Sequence, residues 1–240
     1  MSYRGAKTTL ILDLARRGVN QTVKEALMRR RAFRPALAFH GLTPLYDRAN
    51  DLLGFGAPFL GRVIDALGVR GDEQLLDIGC GTGSLLRALG QRHALMRLTG
   101  IDADPRVLHD ARDKLSAAGV RAALVLAFAQ DLPFASGSFE VATSTLIFHH
   151  LSTDAKRDAL AEIRRVLTPG GRFLLADFGR PQTALQWTLL SVGRLFDGFE
   201  GTRVNLQGRL PEMLREAGFQ VVEAGSTYRA VQFLRAVPKR

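Results

Sequence analysis

From residue 74 onward, short apolar runs alternate with longer segments of helical periodicity, and no other feature restricts the fold as much. Five of the apolar runs have the length of buried strands: residues 74–78, 95–102, 122–129, 139–148 and 172–178. The helical segments between them include residues 105–118 and 154–167. Strands that alternate with helices pair in parallel through right-handed crossovers, so this part of the chain predicts an open α/β sheet.

The end of the chain departs from this alternation. Two apolar runs, residues 219–225 and 228–236, follow each other with almost no connection between them. Strands joined so closely pair antiparallel, because a parallel pair needs a long crossover. The sequence therefore predicts a seven-stranded, mostly parallel sheet with an antiparallel C-terminal hairpin at its edge.

The positive charge of the chain is concentrated at its N-terminus. Residues 1–40 hold nine Lys or Arg and two Asp or Glu, whereas the other 200 residues hold 24 and 21. Helical patterns at residues 8–17 and 22–31 predict a basic N-terminal helical extension, residues 1–40, before one domain of residues 41–240. Such a segment contacts phosphate on a membrane surface or in nucleic acid, or forms a solvated helix face.

Several classes of protein are disfavoured by what the sequence lacks. No run of about 18 apolar residues predicts a membrane-spanning helix. The apolar core near the N-terminus, residues 10–12, is too short for a signal peptide. One cysteine allows no intrachain disulfide, and no Cys/His spacing suggests a metal site. We therefore expect a cytoplasmic protein without a metal, with the basic segment available for peripheral membrane contact.

A glycine-rich turn follows the first predicted strand, with the sequence Asp77-Ile78-Gly79-Cys80-Gly81-Thr82-Gly83. Glycines between a strand and a helix let a ligand approach the backbone closely. A dinucleotide site requires the pattern G-x-G-x-x-G, but Ser84 stands at its third glycine. Asp77 also suits a cation better than a pyrophosphate. S-adenosylmethionine carries an ammonium and a sulfonium and no phosphate.

The pattern D-x-G-x-G-x-G resembles the first motif of class I S-adenosylmethionine-dependent methyltransferases, and three further matches follow in order: Asp102, Asp131 and residues 165–178. The resemblance implies a Rossmann-like fold and S-adenosylmethionine as cofactor, with S-adenosylhomocysteine as product. It also implies that Asp102 binds the ribose hydroxyls, that Asp131 binds the adenine amino group and that Leu132 offers its N–H. The residues predicted to bind the cofactor are Tyr46, Asp77, Gly79, Cys80, Gly81, Gly83, Asp102, Ala103, Asp131, Leu132 and Thr145.

Two segments narrow the resemblance. Residues 45–56 and 197–219 are similar to the ubiquinone/menaquinone-biosynthesis C-methyltransferases and their type 11 relatives. Quinol C-methylases carry an Arg-Asn pair after the fourth strand, where this chain has Phe148-His149-His150. Relatives with paired histidines there methylate lipids and assorted small molecules, which leaves the quinone substrate open.

His149 and His150 are the candidate catalytic residues, because they are expected to end the fourth strand, which points at the methyl group in this fold. A histidine has an ordinary pKa near ~6.5 and can act as a general base at neutral pH. The alternative is that they orient other groups or only pack. Asp177, at the end of the fifth strand, is a second candidate. The apolar residues between 178 and 208 predict a lid that favours a greasy or aromatic substrate.

The leading hypothesis is a methyltransferase acting on a small, apolar, aromatic or lipid-like molecule by in-line transfer. The alternative is a nucleic-acid (RNA) or protein methyltransferase that uses the basic N-terminal arm. The charge favours that alternative, but the N/D-P-P-Y signature of many base N-methylases is absent. A non-catalytic cofactor-binding protein is disfavoured by the intact acids at 77, 102 and 131. The sequence predicts no oligomeric state.

Overall fold

The computed structural model describes residues 54–184, 186–188 and 199–239. The predicted basic extension, residues 1–40, and Tyr46 lie outside these residues, as does the middle of the predicted lid. The predictions made for them therefore remain predictions.

The described residues form one sheet of seven strands in the order β3-β2-β1-β4-β5-β7-β6. The strands are β1 (Gln74–Ile78), β2 (Arg97–Asp102), β3 (Ala122–Leu126), β4 (Phe139–Thr145), β5 (Leu167–Phe178), β6 (Phe219–Tyr228) and β7 (Val231–Pro238). The first five strands pair in parallel, while β7 pairs antiparallel with both β5 and β6. The predicted fold class is confirmed.

The helices that cover the sheet include α1 (Ala57–Leu67), α2 (Ser84–Arg92), α3 (Pro105–Ala117), α4 (Thr153–Val166), α5 (Phe199–Leu206) and α6 (Leu210–Glu216). Local signals explain where two of them begin. The Asp104 carboxylate accepts the Arg106 N–H at the start of α3, and the Ser152 hydroxyl accepts the Ala155 N–H at the start of α4. None of the described helices is both long and apolar enough to cross a bilayer.

Both faces of the sheet are buried, because successive residues of a strand point to opposite faces. Leu75 packs with Phe59 and Leu86 on the face covered by α1, α2 and α3. The next residue, Leu76, belongs to the core on the other face, under α4, α5 and α6. In open α/β sheets, ligands bind at the carboxyl edge of the parallel strands.

The end of β4 differs from the sequence-based expectation. The strand was expected to run to residue 148 but ends at Thr145, and residues Phe148–His150 form a short 3₁₀ helix. Leu146 breaks the strand with a left-handed φ of 56°. The prediction that His149 and His150 end the fourth strand is therefore wrong: they lie in the short 3₁₀ helix that follows it.

Candidate active site

The glycine turn between β1 and α2 lies at the centre of the carboxyl edge. Gly79, Gly81 and Gly83 all adopt left-handed φ angles, of 72°, 53° and 74°. A Cβ atom at residue 79 would overlap the side chain of Ile147, which follows β4. The missing side chain therefore lets the turn after β4 close directly over the turn after β1.

Cys80 shapes this turn from within. Its N–H donates to the Ile101 carbonyl at 2.9 Å, and its own carbonyl accepts the Gly83 N–H at 2.9 Å. Its buried thiol packs against Gly100 of β2. Burial, and then the nearby carboxylates, raises the pKa of the thiol, which keeps it protonated. The Cys80 backbone therefore fixes the shape of the turn, and its contact with the cofactor stays a prediction.

Asp77 is a buried carboxylate without a hydrogen bond from any residue that the structure describes. Its neighbour in the sheet is Thr143 of β4, whose hydroxyl is also buried and unpartnered. Burial, together with the negative charge of Asp102, raises the pKa of Asp77 to about 7. An incoming cation would relieve this, so the ammonium group of S-adenosylmethionine fits the position.

Asp102 ends β2 and faces the glycine turn. Its Oδ2 accepts the Gly81 N–H at 3.1 Å, and its Oδ1 accepts the Asp104 N–H at 3.0 Å. Burial raises the pKa of Asp102, and these hydrogen bonds, with one from Ala103, oppose the rise. The carboxylate is thus held in one orientation at the site, as a group that binds two hydroxyls requires.

The segment after β3 differs from the sequence-based expectation. Asp131 is exposed, and its N–H donates to the Phe128 carbonyl. The Leu132 N–H donates to Glu162 Oε2 at 2.9 Å, and Arg165 binds both that carboxylate and the Leu132 carbonyl. The Leu132 N–H is therefore bonded to α4 in this structure, and its contact with the adenine stays a prediction.

The turn after β4 brings a second set of polar groups to the edge. Thr145, the last residue of the strand, has a buried hydroxyl without a hydrogen-bond partner. Leu146 holds its left-handed backbone with an N–H bond to the Ala176 carbonyl of β5, at 2.9 Å. A non-glycine residue in this conformation costs about 1–2 kcal/mol. Strain of this kind clusters at functional sites.

His149 lies in this turn and is fixed by Asp177, near the end of β5. His149 Nδ1 is 2.9 Å from Asp177 Oδ1, and both side chains are almost completely buried. The same carboxylate accepts the N–H groups of Phe148 and Phe178, each at 2.7 Å, and the Asn205 amide at 3.0 Å. Asp177 therefore has four donors around it and holds His149 in place.

The protonation of this pair follows from its contacts. Burial alone would raise the pKa of Asp177, but the charge of His149 and the hydrogen bonds outweigh it and lower that pKa. An ionised carboxylate only accepts hydrogen bonds, so His149 Nδ1 must carry the proton that it shares with Asp177. Nε2 is then the basic nitrogen of the ring.

His150 differs from its neighbour. Its ring lies 3.9 Å from that of His149, centre to centre. Burial, and then the proximity of His149, lowers the pKa of His150 to about 3. His150 is therefore neutral and a weak base near pH 7, which makes His149 the better candidate for accepting a proton.

The surroundings of His149 are aromatic and well supported. The Phe178 ring meets His149 edge to face at 4.8 Å. Lys156 of α4 is fully buried and donates to the carbonyls of Leu151 and Gly201, at 2.5 Å and 2.6 Å. This ammonium ties α5, which carries Asn205, to the histidine turn.

The structure thus brings most of the described predicted residues to one edge of the sheet, with Asp131 at its exposed rim. Sequence reasoning missed Asn205 and Ile147, and it named Asp177 only as a second candidate. Neither missed residue belongs to a recognisable motif. No group of three or more potential metal-ligating side chains occurs within the described ranges.

Comparison with known proteins is consistent with this arrangement. The profile of the methyltransferase domain family matches residues 75–171. The ubiquinone/menaquinone biosynthesis C-methyltransferase of Azotobacter vinelandii is 33% identical over 198 residues, 79% of this chain and 73% of that protein. The demethylmenaquinone methyltransferase of Thermus thermophilus is 35% identical over 145 residues, 60% of this chain and 65% of that protein.

Solved structures share the fold at much lower identity. A SAM-dependent methyltransferase from Aquifex aeolicus superposes with a TM-score of 0.61 at 18% identity. The superposition covers 74% of this chain and 88% of that one. At this identity the similarity concerns the fold alone.

Proposed function

Because the chain belongs to the class I S-adenosylmethionine-dependent methyltransferases of the ubiquinone/menaquinone type, we propose that it methylates a small, apolar, aromatic or lipid-like molecule. The protein is an enzyme that uses S-adenosylmethionine and releases S-adenosylhomocysteine. When bound, this cofactor supplies an activated methyl group on a sulfonium for in-line displacement. The buried, Asp177-bonded His149 is the observation that carries the proposal for the acceptor side.

Each predicted cofactor residue is assigned to one part of S-adenosylmethionine. Asp77 pairs with the ammonium group, since its carboxylate is buried without a described partner. Asp102 accepts the ribose hydroxyls in the orientation that the Gly81 and Asp104 N–H groups impose. The adenine end lies toward Asp131, and Ala103 and Thr145 line the same edge. Tyr46 remains part of the proposed set.

His149 positions the acceptor and takes its proton. When bound, the cofactor would supply its methyl group to the acceptor atom that His149 orients. An acceptor hydroxyl, amine or activated ring carbon then has one proton to lose, and His149 Nε2 receives it. The negative charge of Asp177 stabilises the imidazolium that results.

The acceptor's apolar character rests on two observations. The Phe178 ring borders His149 at the exit of β5. The Azotobacter vinelandii and Thermus thermophilus relatives are named for C-methylation in quinone biosynthesis and for methylation of demethylmenaquinone. An apolar, aromatic acceptor fits both, although Phe148-His149-His150 stands where quinol C-methylases have Arg-Asn.

The first experiment supplies S-adenosylmethionine with a labelled methyl group to the purified enzyme and a fractionated cell extract. We expect label in the organic phase, and none with Asp102→Ala. Label that appears only in RNA or protein would contradict the proposed substrate class while leaving the cofactor intact.

The same assay tests His149. We expect His149→Gln to lower kcat by about 10²- to 10⁴-fold, the usual contribution of a general base, with little change in cofactor affinity. His109→Gln is the matched control, because His109 and Asp113 form an exposed pair of the same type on α3. An unchanged kcat in His149→Gln would remove the proton-transfer role.

The basic residues 1–40 add a proposal about location. Nine Lys or Arg against two acids suit an anionic membrane surface, where a lipid-like acceptor would be found. Removing residues 1–34 should abolish binding to phosphatidylglycerol-containing vesicles. Unchanged vesicle binding would contradict this role for the segment.

A further inference from the structure

A cavity of about 240 Å³ opens beside the exit of β5, next to the His149 site. It is bordered by the segment after β5, the end of α5 and the turn between β6 and β7. Six long polar side chains belong to its lining residues: Arg180, Gln182, Gln186, Gln207, Arg229 and Gln232. None of the described residues that line it is acidic. Its lining is therefore cationic and rich in amides.

Gln232 supplies an unused hydrogen-bond donor at this cavity. Its amide nitrogen Nε2 is buried and has no hydrogen-bond partner among the described residues. A Cβ atom at residue 179 would lie 2.8 Å from Gln232 Cδ, so the glycine there lets the amide pack against the exit of β5. An unpartnered buried donor costs about 1–3 kcal/mol, and a ligand that offers an oxygen atom would remove that cost.

The rim of the cavity is held in shape by its own glutamines. Gln186 Nε2 donates to the Arg229 carbonyl at 2.6 Å, which ties the segment after β5 to the β6–β7 turn. Gln182 donates its N–H to Gln186 Oε1 at 2.7 Å and its side-chain amide to the Arg180 carbonyl at 3.1 Å. A rim with these bonds already formed loses little entropy when a ligand binds.

Arg180 gives the cavity its charge. The side chain is exposed, and no carboxylate of the described residues pairs with it. The Arg229 guanidinium lies 5.8 Å from the centre of the Tyr228 ring at the rim. A guanidinium binds carboxylate and phosphate groups through parallel hydrogen bonds, so the charge and the donors select the same kind of ligand.

The position of the cavity connects it to the reaction. Gln232 pairs with Asp177 across β7 and β5, and Asp177 is the residue that holds His149. Three strand spacings separate β7 from the glycine turn at the end of β1, which corresponds to about 14 Å.

We infer that this cavity binds an anionic group of the methyl acceptor, a carboxylate or a phosphate, through Arg180 and Gln232. The inference rests on the proposed function and narrows it: the acceptor is an aromatic or lipid-like molecule with one negatively charged end. The anionic group fixes that end at the exit of β5, and the reacting atom extends toward His149 and the glycine turn.

The test is a calorimetric titration of the full chain saturated with S-adenosylhomocysteine. The probes are 2-naphthoate, its neutral analogue 2-naphthamide and inorganic phosphate alone. We expect naphthoate to bind at least tenfold more tightly than naphthamide. Arg180→Gln and Gln232→Met should each remove most of this difference. Arg121→Gln, which removes an exposed arginine before β3, should not.

Each outcome decides the assignment. Equal binding of naphthoate and naphthamide, or naphthoate binding that Arg180→Gln leaves unchanged, would overturn it. Phosphate binding through Arg180 without naphthoate binding would show a free-anion site and would also overturn it. Because Arg180 is exposed, its variant remains informative if Gln232→Met fails to fold. The affinity for S-adenosylhomocysteine, measured by titrating the same variants without bound cofactor, reports separately on the cofactor site and so on the proposed function.

Discussion

Two aspartates occupy equivalent places at the ends of two strands, each one residue before the strand ends, and both are buried. Asp77 of β1 has no described hydrogen-bond donor, and its pKa is raised to about 7 by burial and by Asp102. Asp177 of β5 has four donors, and its pKa is lowered although burial opposes this. The protein thus stabilises one carboxylate internally and leaves the other for a ligand. Asp177, whose hydrogen-bond donors are all supplied by the protein, positions other residues. Asp77, which has none among the described residues, is available to bind the ammonium group of the cofactor.

The largest expected effect is on stability at Asp177. Asp177→Asn keeps the size of the side chain but removes the charge that His149 and three N–H donors face. We expect the free energy of unfolding to fall by about 3–5 kcal/mol, because the asparagine amide leaves some of these buried donors unpaired and each unpaired donor costs about 1–3 kcal/mol. Urea denaturation at pH 8 measures this. Asp77→Asn is the matched control and should be at least as stable as the wild type, because it removes an uncompensated buried charge. Equal losses of unfolding free energy in the two variants would contradict the proposed difference between Asp77 and Asp177.

The converse effect is on the cofactor. Asp77→Asn should weaken the binding of S-adenosylhomocysteine by about 10- to 100-fold, since a hydrogen bond to a charged group is worth about 1.5–3 kcal/mol. Asp177→Asn, assayed under conditions where it is folded, should change this affinity less than threefold. Calorimetric titration of both variants provides the measurement. A wild-type affinity in Asp77→Asn would mean that the ammonium group has another partner.

Ionisation of Asp77 should make cofactor binding depend on pH, with a change in the dissociation constant of up to tenfold per pH unit. Its raised pKa means that the carboxyl is protonated and neutral below about pH 7, and only the ionised form attracts an ammonium. The dissociation constant of S-adenosylhomocysteine should therefore fall as the pH rises from 5.5 to 7, and level off above. Asp77→Asn should give a flat profile over this range. A wild-type profile as flat as that of the variant would contradict the raised pKa.

The smallest effect is expected at Asp131. The residue is exposed, so water compensates for most of any hydrogen bond that it loses. Asp131→Asn should weaken cofactor binding by about threefold, within the ~0.5–1.5 kcal/mol of an ordinary hydrogen bond. Asp113→Asn, an exposed acid on α3, serves as the control and should have no effect. A loss above 20-fold would place Asp131 among the principal cofactor residues.

The same contrast explains what could be predicted from the sequence. Asp77 and Asp102 stand beside the glycine turn, within or at the ends of apolar runs. Parallel strands bring their carboxyl ends to one edge, so local pattern and topology were enough to bring the two acids together. The alternation of strands and helices likewise predicted the sheet.

The groups that were not predicted depend on packing between distant segments. Asn205 meets Asp177 across 28 residues, through the way α5 packs on the sheet. The Leu132 N–H is used by Glu162, 30 residues further on. The end of β4 was missed because residues 145–148 continue the apolar pattern. Nothing in that run of residues indicates that Leu146 adopts a left-handed backbone.

The buried Cys80 thiol has a practical consequence for spectroscopy. It is the only cysteine in the chain. Because the thiol is buried and protonated, we expect it to be unreactive toward maleimides in the folded protein. A cysteine introduced at an exposed position, such as Arg121, would therefore be the single labelling site. Fluorophores or spin labels can then report on ligand binding in a protein whose glycine turn keeps its natural sequence.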